Sequence, residues 1–169
     1  MDDSSISSRA SNLELSLRKA EMNDCTQIHK MQIESFGALL DKYGDVSTNP
    51  AAESIDRIKQ RMAQEFTDYY FICLNDDTIG AIRVVRITNN VCRISPMFIL
   101  PQYQGMGYAQ QAILKTESRY PQAERWELDT IKQESKLCYL YEKMGYTATG
   151  KEEMIQDNMT IVFYSKQIN

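Results

Sequence analysis

The alternation of apolar and polar positions divides the chain into a run of short elements. Leu13, Leu15 and Leu17 alternate with Glu14, Ser16 and Arg18, the two-residue period of a half-buried strand. Cys25, Ile28, Ile33, Phe36 and Leu40 then recur at helical spacing. Asn23 or Asp24 can cap that helix, which is expected to end near Tyr43-Gly44. Residues 41–50 read as a polar loop, and 51–66 as a second helix with Ile55, Ile58 and Met62 in line. Strands are expected over 69–74, 78–88 and 91–100. Turns at Asn75-Asp76-Asp77 and Asn89-Asn90 join them into a meander. Pro96 falls inside the third strand, where proline marks an edge or a bulge. A bulge there would splay the strand from its neighbour and leave backbone groups free.

A helix from about Gly107 to Tyr120 must stop before Pro121. After a short strand over 125–130, a helix over 133–144 carries Leu137, Leu140, Tyr141 and Met144 on one face, with Gly145 placed to end it. Strands over 146–151 and 159–166 close the chain. The order β-α-α-β-β-β-α-β-α-β-β predicts an α/β protein with a mixed sheet. No repeat or linker divides it, so residues 13–169 are expected to form one domain. Residues 1–12 are rich in Ser and Asp and lack an apolar period, which predicts a disordered arm.

Composition narrows the classes. At 169 residues, one domain can bury roughly 70% of its unfolded surface. A net charge of -4 gives no basic face for nucleic acid. No apolar run approaches the ~18 residues of a membrane span. The cysteines are Cys25, Cys73, Cys92 and Cys138, none in a C-x-x-C pair, and His29 is the single histidine. No metal site is expected from that set. Unpaired cysteines and no signal-peptide pattern lead to the expectation of a cytoplasmic protein.

Chemistry concentrates in one stretch, Ile99-Leu100-Pro101-Gln102-Tyr103-Gln104-Gly105-Met106-Gly107-Tyr108-Ala109. A strand ends at proline, two glycines follow, and Ala109, Ala112, Ile113 and Thr116 begin a helical stripe. The first turn of a helix has N–H groups without internal partners and carries partial positive charge. Glycine lets a phosphate come close to that backbone. The stretch reads as a grip for the pyrophosphate of a nucleotide-like molecule. It has no Walker Gly-Lys-Ser/Thr and lacks the three spaced glycines of the dinucleotide fingerprint.

Gln104-Gly105-Met106-Gly107-Tyr108-Ala109 resembles the Q/R-x-x-G-x-G/A motif of the GNAT superfamily, the acyl-CoA-dependent N-acyltransferases. The spacing from Ile99 through Pro101 selects Gln104, and not Gln102, as the motif's first residue. Leu140-Tyr141-Glu142-Lys143-Met144-Gly145-Tyr146 resembles the family's LYEKxGF/Y segment. The resemblance implies a mixed, mostly antiparallel central sheet flanked by helices, an α/β (α+β) arrangement. It also implies acetyl-CoA as cosubstrate with no metal, and a primary amine as acceptor. That amine would belong to a small molecule; a peptide or protein N-terminus, or a non-catalytic acyl-CoA-binding module, are the alternatives. The assembly would be a monomer or homodimer.

Carried over residue by residue, the resemblance assigns the pantetheine arm to the backbone of Met97, Phe98 and Ile99. It gives the pyrophosphate to Gln104, Gly105, Met106, Gly107, Tyr108, Ala109 and Gln110. Tyr141 would protonate the leaving thiolate. A phenol near pKa 10 and a thiol near 8.5 make that transfer uphill by only ~2 kcal/mol. Periodicity alone would make Tyr141 a core residue of its helix. Asp129, twelve residues before it, matches the position of a glutamate base in some relatives. Glu127 shares the strand face of Asp129 by alternation. Glu134 stands where many relatives keep an asparagine for the pantetheine, so that contact should differ. Asp41 and Tyr43, with Asp45, fall in the loop that helps form the acceptor pocket in relatives.

Overall fold

The computed structural model describes residues 14–168, so the expected arm and Leu13 lie outside the described residues. In chain order the elements are β1 (Leu15–Lys19), α1 (Cys25–Tyr43), α2 (Ile55–Met62), β2 (Thr67–Leu74), β3 (Asp77–Arg86), β4 (Val91–Ile99), α3 (Tyr108–Arg119), β5 (Arg125–Ile131), α4 (Ser135–Lys143), β6 (Thr147–Gln156) and β7 (Met159–Gln167). Short 3-10 turns precede α1 and α2 and follow β4. The strands form one sheet in the order β1-β2-β3-β4-β5-β7-β6. Every neighbouring pair is antiparallel except β4 and β5, which are parallel.

Both faces of the sheet are covered, so every residue of β2 is buried. Successive side chains of a strand point to opposite faces. Ile82, Val84, Ile94, Trp126 and Leu128 therefore pack on one side with Ala112 and Ile113 of α3 and Tyr141 of α4. Phe71, Ala81 and Phe98 pack on the other with Ile28 of α1 and Ile58 of α2. Tyr120, at the end of α3, donates to Asp68 Oδ2 at 2.6 Å and holds that helix end over β2.

The expected boundaries shift where capping differs from composition. Helix α1 runs through Tyr43 and stops at Gly44, whose φ of 66° is left-handed. Asp41 and Tyr43 are thus helical, which corrects the loop expected to begin at 41. The second helix is shorter than expected. Asn49 accepts from the Ala51 N–H at 2.7 Å and fixes a separate turn, and Ser54 accepts from the Arg57 N–H at 3.1 Å to start α2. Strand β6 continues past Gly150, at φ 90°, to Gln156. Among the described residues no helix is long and apolar enough to cross a membrane.

Gly80 of β3 faces Ile99 of β4. A Cβ there would lie 2.2 Å from the Phe98 carbonyl oxygen and 3.2 Å from Ile99 Cα, so the two strands approach as only glycine allows. Gly80→Ala is expected to cost about 1–3 kcal/mol, as overpacking does. Urea unfolding checks this: the midpoint should fall at unchanged slope.

Candidate active site

Strands β4 and β5 pair only at Val91 with Arg125, Cys92 with Trp126, and Arg93 with Glu127. Beyond those residues they part. Against β3 the register of β4 also shifts, from Ile82 opposite Met97 to Val84 opposite Ile94. Ser95 and Pro96 thus both stand against Arg83, the bulge that the proline led us to expect. Arg83 is only 7% exposed. Its Nη1 donates to the Ser95 carbonyl at 2.7 Å, Nε to Thr67 Oγ1 at 3.0 Å, and Nη2 to Gln64 Oε1 at 3.3 Å.

Past the bulge, the Leu100 N–H bonds to Ile79 of β3 at 2.8 Å, and the Phe98 carbonyl lies against Gly80. By alternation, the backbone groups of Met97 and Ile99 face the opened side. Gln104 Nε2 donates to the Ile99 carbonyl at 2.8 Å and ties the loop back to the strand end.

The loop itself is held by two left-handed glycines, Gly105 at φ 78° and Gly107 at φ 84°. Gly107 is the N-cap of α3, and no side chain caps that helix. The amides from Gly105 through Met106, Gly107, Tyr108, Ala109 and Gln110 make no hydrogen bond among the described residues. A Cβ added at either glycine would meet nothing within 4 Å, so the mouth of the helix is open. Six unpartnered amides at the positive end of a helix suit a diphosphate.

Where β4 and β5 separate lies a cavity of about 840 Å³. Met97 lines it from β4, Asp129 from β5, Tyr141 from α4 and Phe163 from β7. The two residues expected to carry chemistry therefore share a wall with Met97. Tyr141 is buried, and its ring meets Tyr146 edge to face at 6.3 Å. Its hydroxyl makes no hydrogen bond among the described residues. Burial, and after it the charge of Asp129, pushes the phenol well above its usual pKa, so the unperturbed phenol of the sequence argument does not hold. Asp129 is half-buried and ion-paired with Arg93. Burial pushes its carboxyl up, Arg93 pulls it down, and burial wins.

Other candidates stand outside the cavity. Glu127 shares the face of Asp129 but pairs with Arg125 at 3.1 Å. Tyr43 donates to Glu134 Oε2 at 2.6 Å, and Lys42 Nζ meets the same oxygen at 2.7 Å. Burial raises Glu134, yet the Lys42 and Tyr43 hydrogen bonds outweigh it and leave the carboxylate below its usual value. Glu134 thus latches α1 to the start of α4. Asp41 is exposed on α1. Asp45 accepts from the Ser47 and Thr48 amides, both at 3.1 Å, and shapes the turn after α1.

The sequence reading missed most charged groups of the wall: Glu53, Arg57, Arg61, Arg93, Lys151 and Glu153. They come from α2 and its approach, β4 and β6, and no local spacing unites them. With Asp129, the cavity carries four basic and three acidic side chains rather than an acidic lining.

The fold matches solved N-acetyltransferases. One is a spermidine N-acetyltransferase from Vibrio cholerae in complex with CoA and spermine, at a TM-score of 0.72 and 18% identity, covering 90% of this chain and 95% of that one. Another is the PaiA N-acetyltransferase from Thermoplasma acidophilum in complex with coenzyme A, at 0.75 and 14% identity, covering 92% and 100%. A third is an acetyltransferase from Thermus thermophilus, at 0.71 and 12% identity, covering 92% and 98%. No curated protein matches the sequence. A family model described as an acetyltransferase (GNAT) domain matches residues 40–168, well over half of the chain. On that match the chain belongs to the GNAT family of acetyl-CoA-dependent N-acetyltransferases.

Proposed function

We propose that the chain moves the acetyl group of acetyl-CoA to the primary amine of a small molecule seated between β4 and β5, with Asp129 as base and Tyr141 as acid. One observation carries this reading: the parting of β4 from β5 puts Met97, Asp129 and Tyr141 on the wall of one cavity. The amides from Gly105 to Gln110 hold the diphosphate, and the outward backbone of Met97 and Ile99 aligns the pantetheine arm. The spermine held by the Vibrio cholerae relative supports an acceptor of small-molecule size.

Each residue answers a physical need. An alkylammonium has a pKa near 10.4, so only about one molecule in 10³ is neutral at pH 7. Asp129, raised by burial, is a stronger base than an exposed aspartate and takes that proton. The acceptor's ammonium offers Asp129 a second cation beside Arg93, so binding and deprotonation meet at one carboxylate. Tyr141 stays protonated throughout the working range and returns a proton to the leaving sulfur. The burial that raises the phenol raises the thiol beside it too, because both anions lose hydration. The difference between them, and not either value alone, sets the cost of the transfer.

Tyr141→Phe keeps the stack on Tyr146 and removes only a hydroxyl. The expected result is a fall in kcat of about 10²-fold or more, as loss of a general acid gives, with acetyl-CoA affinity and melting temperature unchanged. Thiol-release kinetics beside calorimetry check it, and a variant of full activity overturns the assignment. For Asp129, kcat/KM of the native chain should drop on an acid limb placed above the ordinary aspartate value of 3.8. In Asp129→Asn that limb should vanish, leaving a rate that follows only the neutral fraction of the amine. An unchanged profile would remove Asp129 from the base role.

A further inference from the structure

The charges of the cavity are not evenly spread. Arg57 and Arg61 stand four residues apart on α2, so they share a helix face, and both line the cavity. Glu53 answers Arg61 at 3.1 Å. Arg57 is exposed, and among the described residues its side chain finds only Gln60 Oε1, at 3.5 Å. Beside them Arg83 is buried with three neutral acceptors and has no carboxylate within ion-pair distance among the described residues. Burial first, and then the charge of Arg61, brings its guanidinium down to about 10. Arg57 and Arg61 thus line the α2 end together with the carboxylate of Glu53, and Arg83 adds a third guanidinium behind that lining. At the seam end, Arg93 and Asp129 offset each other, and Lys151 lies over the Phe163 ring at 4.4 Å with Glu153 on the same wall.

We infer that the acceptor carries an anionic group, a carboxylate or a phosphate, besides its amine, and that Arg57 and Arg61 receive this group while the amine meets Asp129. The inference rests on the acceptor cavity proposed above. A guanidinium presents a planar fork of donors that fits either anion in a bidentate way, and Arg57 makes no ion pair among the described residues. A plain polyamine would set its distal ammonium against the arginines, a like-charge contact, and Glu53, the carboxylate at that end, is already paired with Arg61. The cavity, at about 840 Å³, has room for a molecule of amino-acid size or somewhat larger.

The test is thiol release from acetyl-CoA over a matched panel: amino acids, aminoalkyl phosphates, the neutral amides or esters of both, and spermine. Carboxylate- or phosphate-bearing amines should exceed their neutral counterparts by about 10- to 100-fold in kcat/KM, the span of one or two charge-assisted hydrogen bonds. The ratio of the carboxylate to the phosphate arm identifies the anion. Arg57→Gln should raise KM for the anionic amine about tenfold or more, at unchanged kcat and unchanged KM for acetyl-CoA. Arg57→Lys should restore part of that loss. Arg57 is exposed, so neither variant threatens the fold. Equal or better turnover of the neutral amides or of spermine overturns the anion site and leaves the acetyltransferase reading standing. Equal slowing of anionic and neutral amines by Arg57→Gln overturns it as well. No thiol release with any amine overturns both.

Discussion

A backbone amide or carbonyl inside a sheet needs a partner, and beyond Arg93 the strand β4 has lost one of its two neighbours. Each buried group left unpaired costs about 1–3 kcal/mol. The protein satisfies one such group itself, by sending Gln104 back to the Ile99 carbonyl. The others face an opening, where a ligand rich in amide groups can complete the sheet. The bulge at Ser95 and Pro96 sets this geometry, and Arg83 on the neighbouring strand grips it through the Ser95 carbonyl. Since β4 runs directly into the glycine loop, the seam and the anion cradle are consecutive in the chain. Their relative placement needs no long-range contact, only a strand, two left-handed glycines and a helix start.

Recognition by backbone explains why the side chains of that stretch read as ordinary core. Phe98 is buried against α1 and α2, and its identity serves packing. The chemistry is left to the alternate face of β5 and to α4. Trp126, Leu128 and Thr130 point inward and hold β5 rigid. Asp129 is carried on the opposite face, at a height the alternation fixes. Tyr141 reaches the same wall from a helix that ends at Met144 and Gly145, where the chain turns at φ 93° and Tyr146 comes back under its ring. A site built this way depends on strand register. A slip of one residue would bury Asp129 and expose Leu128.

Much of this was legible because it is local. The glycine loop, the proline that ends β4, the proline that marks the bulge and the stripe of α4 each announce themselves within a few residues. The order of elements followed from periodicity, and the mixed, mostly antiparallel character of the sheet from the family resemblance. Where sequence reading went astray, the cause was a partner far along the chain. Glu134 stands at a pantetheine-binding position where a different contact was expected, and its carboxylate goes to Lys42 and Tyr43, some 90 residues earlier. The end of α1 near Tyr43-Gly44 was legible, yet Asp41 and Tyr43 also read as part of the polar loop after it, whereas both belong to the helix that Gly44 ends. Glu127 shares a face with Asp129, yet it lies on the paired stretch of β5, before the strands separate. The arginines of the wall escaped notice because α2 and β4 bring them together without any shared spacing.

The same wall sets the terms on which Asp129, the proposed base, would work from inside an ion pair. Arg93 beside Asp129 opposes the burial that would otherwise protonate the carboxyl, so the site keeps a usable anion without leaving an uncompensated charge in a half-dry place. An arriving ammonium then competes with a neighbour rather than filling a void. On the reading proposed above, Arg57 and Arg61 of α2 would give the cavity a basic patch, and Asp129 of β5 a titratable acid. On that proposal, a molecule bearing both signs of charge would be oriented by these groups. Orientation of this kind would lower the entropic part of the barrier and leave to Tyr141 and Asp129 the proton transfers proposed for them.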